Sequence, residues 1–119
     1  MAQTLVKSGM LAAEFFGTST SVTPGATNDF DFSSGPVFTL TPTQNSTLNM
    51  TNAEIGAVKD VIVTGSGNNY TLSFTVDGNA GTFNKISGSY DDTASTKNLI
   101  QIVCVGATEF WYTISQITA

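Results

Sequence analysis

Few side chains in this 119-residue chain could do chemistry: nine carboxylates, four lysines, one cysteine, and neither arginine nor histidine. Two carboxylate pairs stand close in sequence, Asp29 with Asp31 and Asp91 with Asp92. Paired carboxylates support glycoside hydrolysis when held about 5 to 9 Å apart across a substrate cleft. Calcium takes Asp, Asn and backbone oxygens, which "NDFD" and "SYDDT" both offer; the spacing matches no calcium-loop signature. The plainer reading puts Asp29 and Asp31 outward, flanking inward Phe30 and Phe32, with Asp91 and Asp92 on a solvated turn. The lack of histidine closes Ser-His-Asp and Cys-His nucleophile systems and histidine-ligated zinc. We therefore expect no enzyme, no cofactor and no catalytic residue, and leave calcium at the four aspartates as an open question. Cys104, inside the apolar run "NLIQIVCVG", reads as a small buried hydrophobe.

The aromatic residues carry more. In "EFWYTIS", Phe110 and Tyr112 share one face of a strand and Trp111 takes the other. Alternation puts Ile100, Ile102 and Cys104 with Phe110 and Tyr112, and sets Leu99, Val103 and Val105 beside Trp111 as a second apolar face. Three covers for that face are open: core packing, a subunit contact, and a stacked sugar. The expected contact is with further copies of the chain, as a homotrimer with Trp111 at or near the interface, because an apolar face on so small a domain needs a closed partner.

The elements that must hold these residues are short and β-rich. Only 11% of residues are charged and 40% are hydrophobic, so Thr, Ser and Asn must make most of the polar surface. The net charge of −5 and the scattered lysines argue against nucleic acid and against anionic membranes. In "MAQTLVKSGMLAAEFFG", Ser8, Gly9 and Glu14 interrupt any signal core, so the chain is expected to be made in the cytoplasm and left unprocessed.

"YTLSFTVDG" alternates Tyr70, Leu72, Phe74 and Val76 against polar partners and predicts a strand with those four inward. "VKDVIVTG" predicts a strand joined to it through "GSGNN" as a hairpin. "STLNMT" places Leu48 and Met50 inward, and "TFNKIS" is a short strand. "NLIQIVCV" and "EFWYTISQI" predict a second hairpin around "GAT". About eight short strands with turns every 8 to 12 residues, and no helix between them, point to an antiparallel β-sandwich or jelly-roll-like barrel. Residues 28–119 are read as that single domain, and residues 1–27 as an N-terminal arm and linker. Leu11, Phe15 and Phe16 are the arm's candidate anchors on a capsid.

The run "FTLTPTQNSTLNMTNAEIGAVKDVIVTGSGNNYTLSF", followed by "NLIQIVCVGATEFWYTIS", resembles a module of tailed-phage fibre, spike and capsid-decoration proteins. Thr47 and Leu48 match its first strand pair, Ala53 and Gly56 its turn, and Thr71, Leu72 and Phe74 its "TLTF" strand. Gly106, Thr108, Trp111 and Tyr112 match its closing turn. The resemblance covers roughly residues 30 to 117 and implies a small β-sandwich, commonly trimeric, serving as a virion building block. The expected function is thus that of a structural virion protein of a bacteriophage (capsid decoration, penton or head-fibre component), with other virion proteins as partners. The alternative is a carbohydrate-binding or receptor-binding, lectin-like module that recognises a surface glycan or host receptor.

Overall fold

The computed structural model describes residues 19–117. They contain nine strands and no helix: β1 (Ser19–Ser21), β2 (Thr27–Asp31), β3 (Val37–Leu40), β4 (Ser46–Thr51), β5 (Val58–Thr64), β6 (Leu72–Val76), β7 (Thr82–Ser87), β8 (Lys97–Gly106) and β9 (Glu109–Ile117). The strands make a six-stranded sheet in the order β1-β3-β5-β8-β9-β7 and a three-stranded sheet in the order β2-β4-β6. From β1 to β6 the chain changes sheet at every strand. Within each sheet the successive strands run parallel, β1 on β3 on β5 and β2 on β4 on β6.

This arrangement is a β-solenoid of about four turns, and it overturns the expected antiparallel sandwich or jelly-roll barrel. The expectation failed on the connections. Parallel neighbours need a crossover of a dozen or more residues, and in most folds a helix supplies it. Here a strand of the opposite sheet, with a bend at each end, does so: residues 22–36 carry β2 between β1 and β3, and residues 41–57 carry β4 between β3 and β5. Short strands separated by turns read the same along the chain whether they close hairpins or wind a coil. The predicted hairpin across "GSGNN" is corrected on the same ground, since β5 and β6 lie in different sheets. Its turn chemistry serves a change of sheet instead. Gly67 and Asn69 have φ of 84° and 60°, and a Cβ on Gly65 would stand 2.1 Å from the Thr93 carbonyl oxygen.

The winding ends in the hairpin expected at the C-terminal end. β8 and β9 pair antiparallel, with Ile102 opposite Tyr112 and Val103 opposite Trp111. This hairpin sits between β5 and β7, antiparallel to β5 through β8 and parallel to β7 through β9. β1 lies in the segment read as linker and pairs with β3. The arm residues Leu11, Phe15 and Phe16 lie outside the described residues.

The core lies between the sheets. Phe30, Leu48, Met50 and Val76 from the smaller sheet meet Phe38, Leu40, Val61, Val63, Ile100, Ile102, Cys104, Phe110 and Ile114 from the larger, with Phe32 just past the end of β2. Rings link the layers, Phe30 stacking on Phe38 and Phe74 on Phe83, each at 5.3 Å between centroids, and Phe83 stacks in turn on its neighbour in the larger sheet, Phe110, at 5.0 Å. Leu48 and Met50 point inward as predicted. Of the four residues expected inward on β6 and just before it, Val76 is buried, Leu72 and Phe74 are half-buried against the core, and Tyr70 is not part of it. Lys59 is also inside, its ammonium 5.8 Å from the centre of the Phe32 ring.

Candidate functional site

The predicted two-sidedness of the last hairpin is present. Ile100, Ile102, Cys104 and Phe110 are buried in the core and Tyr112 packs against it. Leu99, Val103, Val105 and Trp111 occupy the opposite, outward face of the six-stranded sheet, and strand register extends that face. Val58 on β5 pairs with Val103, which pairs with Trp111, so three large apolar side chains form one row. Trp111 is 46% exposed and Val58 57%. A second row joins Thr39, Ile62 and Leu99. With Lys97 and Ile117 these line an apolar groove of about 420 Å³.

Two polar features set the chemistry of this face. The indole N–H of Trp111 donates to Glu109 Oε2 at 2.9 Å, and the Asn84 amide donates to the same oxygen at 3.3 Å. Asp60 stands beside Val37 and Gln101, and its Oδ1 is buried without a hydrogen-bond partner among the described residues. A buried, unsatisfied carboxylate oxygen is costly unless a donor reaches it.

The two aspartate pairs do different work. Asp29 and Asp31 alternate with buried Phe30 and Phe32, as the sequence suggested. Asp31 accepts from the Ser33 hydroxyl and amide and from the Asn52 amide. Those bonds, the Ser33 hydroxyl foremost, hold its carboxyl below the usual range. Asp29 accepts from Asn49, whose own side-chain oxygen accepts from Thr75 and from the Gly78 amide. The bonds follow the parallel register, in which Asp29, Asn49 and Thr75 are direct neighbours.

Asp92 departs from the solvated turn expected for it, being only 7% exposed. Its carboxylate accepts from the Ser66 amide and hydroxyl, from the Asn68 and Tyr70 amides, and in a short bond from the Tyr90 hydroxyl. Burial opposes the charge, yet the bonds from Ser66, Tyr90 and Tyr70 prevail and hold its pKa well below the ordinary value. Burial first, and then this same bond, push Tyr90 well above its usual value. Asp91 is exposed and is held low by its bonds with Thr93. Asn98, fully buried, ties the next layer: it accepts from the Asp91 amide and from Gln116, and donates to the Asp91 and Val63 carbonyls.

Sequence reasoning missed Asn49 and Asn98, and the bonds that make Asp92 a buried joint, because their partners lie 18 to 35 residues away, apart from Asn98's bonds to Asp91 and Thr96 and Asp92's bond to Tyr90. Cys104 lies in the core, where burial raises its thiol pKa. No group of three or more metal-ligating side chains comes together among the described residues.

Comparison with known proteins finds no family model, no curated protein and no solved structure that matches this chain.

Proposed function

We propose that the protein is a structural component of a bacteriophage virion, working through protein-protein contacts made by the outward face of its six-stranded sheet. The observation that carries this reading is the exposed row Val58, Val103 and Trp111. Large aromatic and aliphatic side chains ringed by polar groups are the make-up of a contact centre. The virion setting rests on the sequence resemblance over residues 30–117. The sandwich that the resemblance implied is not the fold, so what it contributes is the role of building block and the expectation of a homotrimer. Other virion proteins are the further partners.

The test is solution mass by light scattering across the micromolar range, joined to mass spectrometry of purified particles. The wild-type chain is expected to assemble and to be found in virions, and Trp111→Ser to yield folded monomers or much weaker assembly. A wild-type monomer at high micromolar concentration that is absent from particles overturns the reading.

A further inference from the structure

We propose that the recess between the 65–70 turn and the 88–96 loop is a binding site for a neutral saccharide. It is an open hollow of about 510 Å³ lined by Asn69, Tyr70, Tyr90, Asp91 and Gln116, among others, and it stands apart from the Trp111 face.

Three observations lead there. First, the walls are fixed before any ligand arrives. Asp92 binds the Ser66, Asn68 and Tyr70 amides on one side and Tyr90 on the other, while Asn98 holds Asp91 and Gln116. A recess built this way loses little freedom on binding.

Second, polar groups are left over. Among the described residues the Asn69 side chain and the Tyr70 hydroxyl make no hydrogen bond, and the exposed Asp91 carboxylate is bonded only to Thr93. An amide, a phenol and a carboxylate together supply the donors and acceptors that neighbouring sugar hydroxyls require. The half-buried rings of Tyr70 and Tyr90 offer apolar surface with a polar tip, which suits the C–H faces of a pyranose.

Third, charge narrows the class. No lysine lines the recess and two aspartates do, which disfavours an anion. Asp92 already has its oxygens occupied by five donors, so a cation would find one available carboxylate where calcium takes six to eight oxygens. A neutral polyhydroxylated ligand fits what remains.

The experiment is saturation-transfer NMR and titration of the full chain with glucose, galactose, mannose and N-acetylglucosamine, using sialic acid and calcium as counter-probes. At least one neutral sugar is expected to bind at roughly millimolar affinity. Tyr70→Ala and Asp91→Asn should each weaken it by about tenfold, with wild-type thermal melts, because neither side chain belongs to the Asp92 or Asn98 bonds. Trp111→Ser should leave sugar binding unchanged while it alters assembly. The assignment is overturned by any of three results: no neutral sugar binds, the two recess variants bind as wild type does, or Trp111→Ser abolishes the binding.

Discussion

The outer faces of the two sheets differ in how they treat the groups they expose. On the three-stranded sheet the outward residues are bonded to one another along the parallel register: Thr47 to Ser73, and Asp29 to Asn49 to Thr75. On the six-stranded sheet the outward residues include Val58, Trp111 and Ile117, each about half exposed or more, and Asp60 has a buried oxygen without a partner among the described residues. One face is satisfied within the chain; the other has chemistry to spare. Polar ladders of this kind stabilise the coil from outside and need nothing further, whereas an unsatisfied apolar face gains by meeting another surface.

Adjacent residues on β9 offer the sharpest way to break this comparison. Phe110→Ala removes a fully buried ring stacked on Phe83 and should cost about 3 to 5 kcal/mol in urea unfolding. A cost under about 1 kcal/mol would show that the hairpin is not part of the core. Next in size is Asp92→Ala, expected to cost about 3 kcal/mol because it removes the acceptor of the part-buried Ser66, Asn68 and Tyr70 amides and of two hydroxyls, a buried unpaired donor being worth about 1 to 3 kcal/mol and a part-buried one less. The pH dependence has a definite sign. The folded-state pKa of Asp92 is depressed, so its stabilisation is complete above the unfolded value of about 4 and is lost as pH falls through the folded value. Melts from neutral to strongly acid pH should therefore show wild type and variant converging only at the acid end. Parallel curves would assign the loss to packing.

A smaller effect separates the two outer faces. Asn49→Ala should cost about 1 to 2 kcal/mol through lost bonds to Asp29, Thr75 and Gly78, while leaving solution mass unchanged. The smallest change in stability belongs to Trp111→Ser, expected within about 1 kcal/mol for an outward, half-exposed residue, yet with the largest change in assembly. If Asn49→Ala dissociates the assembly and Trp111→Ser does not, the faces have been assigned the wrong way round.

Some of this was legible along the chain. Period-two alternation in "NLIQIVCV" and "EFWYTISQI" identified the two strands of the closing hairpin, their two apolar faces and the place of Trp111 opposite Phe110 and Tyr112, because alternation is a property of a single strand. Alternation also placed Asp29 and Asp31 opposite Phe30 and Phe32. The pairing of β5 was another matter. "GSGNN" has the residues of a hairpin turn, but here the backbone bonds of Gly65 and Gly67 to the 92–96 loop and the bonds to the Asp92 carboxylate hold it as a change of sheet.

By itself, then, the sequence determined that residues 28–117 would form strands rather than helices, which side chains share one face of each strand, and that little charge would be available for the surface. Those properties follow from local sterics and from the hydrophobicity of neighbours one and two positions apart. Only the tertiary structure decided that β1, β3 and β5 stack in parallel rather than fold back as hairpins, that β8 and β9 enter between β5 and β7, and that Asp92 becomes a buried joint rather than a solvated turn residue. Each of these depends on partners far away in sequence, and a strand's edge can hydrogen-bond to a parallel or an antiparallel neighbour with only a small difference per residue, so the whole core selects one.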